Sequence, residues 1–291
     1  MRFVRVYLPA LILSLTLPLG SAREISLAAA QALIAAQRVP EAREPLEMLV
    51  ASDPDNLEAR LTLAGVYNSL GRRDDGIRLL EPLLETHPND ARVLGIYAGQ
   101  SMLRAGELRA GFRALRLARR GRELMERAVI LAPDEIAYRE GLVDFYRQAP
   151  MIAGGSLAKA REHAAALAKL DPVRGGAWLA AILVEEGKYP EALAACDTAL
   201  ATRPDDYVAL FTLGKTVSES GLRLDDGEAA LRRCLSRVPG ASEPSHANVW
   251  YQLGRIAEQR GDLAASSSAY QASLKLEPGF HRPAEALKRL R

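Results

Sequence analysis

The sequence predicts an all-α array of repeated helical units, and three observations carry that prediction. Prolines recur like marks on a ruler, at Pro54, Pro88, Pro133, Pro172, Pro204, Pro239 and Pro278, with spacings of 34, 45, 39, 32, 35 and 39 residues. No apolar/polar alternation of period two runs far enough to make a useful strand. The composition is 48% hydrophobic but only 5% aromatic, and rich in Ala and Leu, which suits many small helix–helix contacts. At 291 residues the chain could hold two ordinary domains, yet a one-dimensional array can use the whole length as one body. Each ruler proline is read as a stop for a unit's second helix, because proline cannot continue the hydrogen-bond ladder.

Ahead of the array stands a leader. Met1 and two arginines, Arg2 and Arg5, precede an apolar run from Val6 to Leu19, and Gly20-Ser21-Ala22 follows. A positive start, a short apolar middle and small residues before a cut describe a secretory signal peptide over residues 1–22, cleaved after Ala22. No Cys follows the run, which argues against a lipoprotein anchor. The competing reading is an uncleaved inner-membrane anchor. The run is shorter than the roughly 20 residues a spanning helix needs, and Pro9 and Pro18 interrupt it. Export to a bacterial periplasm is the expectation. The formal charge of +2 comes from 38 basic and 36 acidic residues, so removing Arg2 and Arg5 leaves a balanced chain. Balance gives no electrostatic reason to expect nucleic acid as a partner.

The units are read as about 23–56, 57–90, 91–135, 136–174, 173–206, 207–240 and 247–280, with a polar, helix-prone cap at 281–291. The first keeps Ala42, Leu46, Leu49 and Pro54 in phase. The second is clear throughout, with Leu63-Ala64, Tyr67, Gly71, Gly76, Leu80, Leu83 and Pro88. The third carries eleven extra residues within Gly106–Arg127, about three helical turns, which a lengthened second helix would absorb in phase. Gly106, Gly111 and Gly121 leave a broken helix as the other option. The fourth inserts five residues at its internal turn, around Pro150-Met151-Ile152-Ala153-Gly154-Gly155-Ser156. The fifth is two residues short before Gly187, so its first helix or the turn before it is clipped. Asp or Asn after the ruler proline, as in Pro88-Asn89, Pro133-Asp134 and Pro204-Asp205, is expected to cap the next helix.

The last unit is the best preserved: Trp250, Leu253, Gly254, Gly261, Tyr270 and Pro278. That order and spacing resemble the tetratricopeptide repeat (TPR), an antiparallel helix pair of 34 residues. The resemblance covers essentially the whole chain after the leader. It implies a right-handed superhelical solenoid of about seven antiparallel helix pairs plus a C-terminal capping helix, whose concave side, lined by first helices, holds a peptide or a partner protein. The fourth unit also resembles an exported bacterial subgroup of the family. One TPR subclass clamps a C-terminal carboxylate with Lys and Asn on the first helix of its opening repeat. Here those places hold Leu27 and Gln31, or Leu61 and Gly65, so that clamp is not expected.

Matching first helices to the TPR groove singles out Asn68, Asp144, Arg147, Phe211, Lys215, Tyr251 and Arg255 as partner-binding candidates, a mix of charges and aromatics suited to a peptide or protein surface. Trp250, Tyr67, Tyr146 and Tyr270 fall on core places. Gly154-Gly155-Ser156 lacks the Lys and spacing of a phosphate loop, so the glycines are read as turn formers and Ser156 as a cap. The arginines at 113, 116, 119, 120, 122 and 127 are read as a solvated face that could also meet acidic lipid or an acidic partner. Cys196 and Cys234 are read as buried thiols, although export would permit a disulfide. The four scattered histidines have no metal-ligand spacing, and no nucleophile, base or cofactor motif is visible. The expected function is an exported non-catalytic scaffold with no cofactor that binds an envelope protein or an extended peptide. The alternative is an accessory subunit that captures a small molecule or lipid in an apolar cavity under the Pro150–Ser156 turn.

Overall fold

The computed structural model describes residues 26–108, 111–241 and 243–290; the leader at 1–22 lies outside them. Among the described residues there are sixteen α-helices, one short 3-10 turn and no strand. They divide into two compact units, one ending at Leu80 and the other beginning at Glu81.

The smaller unit holds α1 (Leu27–Ala35), α2 (Val39–Ser52), α3 (Leu57–Ser69) and α4 (Arg73–Leu80). Ala30, Ala42, Leu46, Leu63, Val66 and Tyr67 form its core. Ser26 and Asn56 begin α1 and α3 by accepting from the Ala29 and Ala59 amides at 3.1 and 3.0 Å, satisfying donors that a helix start leaves free. Between α3 and α4 the chain turns on Gly71, at φ 72°. The matching place between α1 and α2 is Gln37, at φ 61°, a left-handed conformation that costs a side-chain-bearing residue about 1–2 kcal/mol.

The larger unit runs through α5 (Leu83–Thr86), α6 (Ala91–Glu107), α7 (Phe112–Leu131), α8 (Ile136–Gln148), the 3-10 turn Met151–Ala153, α9 (Leu157–Leu170), α10 (Pro172–Glu185), α11 (Tyr189–Thr202), α12 (Tyr207–Ser220), α13 (Leu224–Leu235), α14 (His246–Gln259), α15 (Leu263–Leu276) and α16 (His281–Arg289). From α6 to α15 the helices pair and each pair leans on the next, and α16 packs on α15. A continuous core joins Leu193, Tyr207, Leu210, Val217, Leu231, Val249 and Ile256.

Several local expectations are refined. The side chain that caps the next helix is the second residue after the ruler proline. Asp90, Glu135 and Asp206 cap α6, α8 and α12, because the first residue after proline is still inside the turn. Carbonyls of those turns are clasped by arginines: Arg60 to Pro54, Arg127 to Pro88, Arg139 to Pro133 and Arg233 to Pro204. The eleven extra residues of the third unit lengthen both helices of the pair. α6 has 17 residues and α7 has 20, unbroken. Gly121 does not break α7; it lets α6 approach, since a Cβ there would lie 2.8 Å from Met102 and 3.0 Å from the Ala98 carbonyl.

The shortening of the fifth unit falls on the turn, and α10 keeps its full 14 residues. Asp171 alone joins α9 to α10, with its side chain accepting from the Val173 and Arg174 amides at 3.0 and 3.2 Å. Pro172 therefore opens α10, at a position where its missing N–H costs nothing. Burial opposes ionisation of Asp171, but the Arg174 amide, the Arg203 guanidinium and the Val173 amide outweigh it and hold its carboxyl below the ordinary range. One interruption has no counterpart in the sequence reading. The second helix of the second unit stops at Leu80 and resumes at Leu83, across Glu81-Pro82.

Candidate partner-binding face

Six of the seven candidate residues sit on first helices of the larger unit. Asp144 and Arg147 lie on α8, Phe211 and Lys215 on α12, and Tyr251 and Arg255 on α14. Within each helix the two are three or four places apart, so they share a face. All six are partly exposed. Asn68 belongs to α3 of the smaller unit, where its Oδ1 is buried without a hydrogen-bond partner among the described residues.

The candidates take up different roles. Arg147 donates to Glu185 of α10 at 2.7 Å, and its guanidinium lies 5.8 Å from the Trp178 ring. Arg255 pairs with Glu219 of α12 at 3.6 Å. These pairs tie α8 to α10 and α12 to α14. Glu185, Glu219 and Trp178 complete the face and were missed in the sequence, although the two glutamates stand one 34-residue repeat apart. Lys215 has no ion-pair partner among the described residues. Phe211 packs against the core cluster. Tyr251 packs on Tyr270 and on Phe280, with ring centroids 5.8 and 5.4 Å away, so part of it serves the seam with the cap. Trp250 packs on the core but is only partly buried.

The tyrosines on core places tie neighbouring helices. Tyr67 donates to Glu47 at 2.9 Å, Tyr270 to Glu258 at 2.7 Å, and Tyr146 to Glu126. Burial first, then the carboxylate bond, pushes the Tyr67 and Tyr146 phenols up to about 12. Cys196 and Cys234 are free and buried, and desolvation raises each thiol to about 11. His163 stacks on Tyr146 at 5.6 Å, and burial lowers its pKa. No group of three or more His, Cys, Asp and Glu among the described residues could hold a metal ion. No described helix is long and apolar enough to cross a membrane.

At the inserted turn, Gly154 adopts φ 103° and Ser156 caps α9, accepting from the Lys159 amide at 3.4 Å. A Cβ on Gly155 would collide with the Ala149 carbonyl. The turn roofs an apolar cavity of about 940 Å³ walled by α6, α7 and α8, and Asp144 is one of its lining residues. Asp144 accepts there from Gln148, so it belongs to the cavity wall as well as to the first-helix row.

The tetratricopeptide-repeat family matches this chain twice, over residues 33–99 and 221–279. It is a tetratricopeptide-repeat protein. The TPR chain is 33% identical over 131 residues to cellulose synthase operon protein C of Pseudomonas fluorescens, a match covering 43% of this chain and 10% of that protein. It thus spans about a tenth of that relative's length. Among solved structures, a TPR protein of Parabacteroides merdae superposes with a TM-score of 0.62 at 14% identity, covering 90% of this chain and 96% of the other. Pseudomonas aeruginosa pilF gives 0.56 at 14% identity, covering 80% and 96%. At such identities the structural matches speak for the fold alone. Helices here pair and stack as in TPR arrays, and such repeats mediate protein or peptide interactions.

Proposed function

We propose that this TPR protein is an exported, non-catalytic scaffold that holds an envelope protein or an extended peptide along its first helices. The observation that carries the reading is the row α8, α10, α12 and α14, where the Arg147–Glu185 pair bridges α8 to α10 and the Glu219–Arg255 pair bridges α12 to α14, beside Lys215 and Trp178. Mixed charge beside partly exposed rings lets a partner bury apolar anchors while the charges set its position along the row. The leader motif at residues 1–22 supports export, to the periplasm after cleavage.

A photo-crosslinking residue placed at Lys215 in the full chain, in the cells that make it, tests the reading. It should yield a defined envelope adduct that is absent when the probe sits at Thr198 on the exposed side of α11. Combining Arg147→Glu with Arg255→Glu should lower that adduct at least fivefold. Equal labelling from both positions overturns the groove assignment. Periplasmic fractionation with intact-mass measurement tests export, the expected species beginning at Arg23.

A further inference from the structure

The cavity in the third and fourth helix pairs has features that scaffold function leaves unused. Its volume, about 940 Å³, is at the upper end of the 300–1,000 Å³ range of small-molecule sites. It exists because two facing stripes are small, Gly99 and Gly106 on α6 and Ala137 and Gly141 on α8; Gly95 of α6 is closed over by the Tyr138 ring. The space is not filled from within. A Cβ on Gly99 would find only the Met125 terminal carbon, at 3.9 Å, and one on Gly106 would find nothing within 4 Å.

A small-residue stripe alone indicates no ligand. The mouth supplies the second observation. Phe112 and Leu115 of α7 line the cavity and also a shallower depression of about 320 Å³, whose other walls are Arg116, Arg119, Arg120 and Glu123. Between Phe112 and Arg122 the helix carries five arginines and no acidic residue. Arg119 donates to the Ile152 carbonyl at 2.9 Å, pinning the inserted turn to the rim. Glu123 is engaged with Arg122 at 3.3 Å, whereas Arg116 and Arg120 have no ion-pair partner among the described residues. Apolar side chains stand open beside them: Phe112 is 94% exposed, Met151 88% and Ile152 69%. Inside, the charged group is Asp144, held by Gln148. An acid in the wall and arginines at the lip favour one orientation, apolar tail inward and anionic head outward.

We propose that this cavity binds a single-chain anionic amphiphile, a long-chain carboxylate of the fatty-acid type. Its chain lies among Gly99, Met125 and Phe145, and its head is held at the lip by Arg116 and Arg120. The polarity split along the site is that of such a molecule. The charge match at the mouth selects an anion over a neutral or cationic chain.

The test titrates the full chain with a fluorescent fatty-acid probe, 11-(dansylamino)undecanoate, and displaces it with dodecanoate or dodecylammonium below their micellar ranges. Saturable binding at one site per chain is expected, with dodecanoate displacing at least tenfold better than dodecylammonium. Gly99→Leu puts a branched side chain into the chamber from a position where a Cβ would meet only the Met125 terminal carbon, and should weaken binding at least tenfold while leaving the melting temperature unchanged or higher. Arg116→Glu with Arg120→Glu, which spares the chamber, should weaken it at least fivefold and erase the preference for the anion. Absent saturation, undiminished binding in Gly99→Leu, or equal displacement by the two head groups each overturns the proposal. So does a second copy of the chain occupying the cavity at the concentrations used. Binding to anionic vesicles that survives Gly99→Leu would assign the lip to a membrane surface instead.

Discussion

In the last two helix pairs and in the third, glycines on first helices meet opposite surroundings. Gly214 of α12 and Gly254 of α14 are closed over: a Cβ at either place would collide with the side chain of Leu231 or of Tyr270, both fully buried. Gly99 and Gly106 of α6 face space. The same residue type draws helices together where its partner is large and leaves a chamber where the partner is also small. Closely packed helices gain dispersion and apolar burial. The chamber gives up part of that gain, and α6 and α7 are longer than the other helices, which spreads their contact over more turns. A glycine therefore says little until the residue opposite is known.

That contrast can be broken most directly by adding a methyl group on each side of it. Gly254→Ala is expected to cost about 2 kcal/mol, within the range for overpacking a filled core, read from urea denaturation midpoints. A neutral result would mean that Tyr270 yields easily and that the last pair is no tighter than the third. Next in size is Tyr146→Phe, which leaves Glu126 without its phenol donor at the seam between α7 and α8. A loss of about 1–2 kcal/mol is expected.

The same variant has a pH signature. The phenol titrates near 10 when unfolded and at about 12 in the folded chain. A raised folded value means that its contribution is complete below pH 10 and fades as pH rises toward 12. Stability of the parent should fall across that window more steeply than that of Tyr146→Phe. Identical slopes would remove Tyr146 from the account and leave Tyr67 and Tyr207, also near 12, and Tyr270, raised by burial and its bond to Glu258, to explain the fall.

Two smaller effects should have the opposite sign. Gln37→Gly relieves the left-handed turn that Gly71, Gly187 and Gly261 make elsewhere, and a gain of about 1 kcal/mol is expected. Gly99→Ala should gain about 0.5–1 kcal/mol, since a mid-helix glycine is replaced with room to spare. Differential scanning calorimetry on the pair Gly99→Ala and Gly254→Ala gives the comparison its sharpest form, because the chemical change is identical. Melting temperatures moving in the same direction would show that the surroundings do not decide.

Much of the fold was legible because repeats write the same physics several times. Proline stops, turn glycines at 71, 187, 221 and 261, and core tyrosines at 67, 146 and 270 are local demands that any stacking of helix pairs must meet. The candidate face was less legible. First-helix positions could be counted, which put Arg147, Lys215 and Arg255 on one row. Counting does not say that Tyr251 would be drawn under Phe280, or that Glu185 and Glu219 would answer the two arginines. Those outcomes depend on which neighbour a side chain can reach.

The order of helices, the places where they must end and the residues able to turn the chain were set by the sequence alone, because capping, proline stops and left-handed turns act within a few residues. Tertiary structure decided that eleven extra residues would lengthen two helices together. It also decided that Asp171 would serve as the whole link between α9 and α10, and that Gly99 and Gly106 of α6 would open a chamber while Gly95 packed on Tyr138. Each depends on the size of a side chain on another helix, and the distance between two helices is settled only when both surfaces meet.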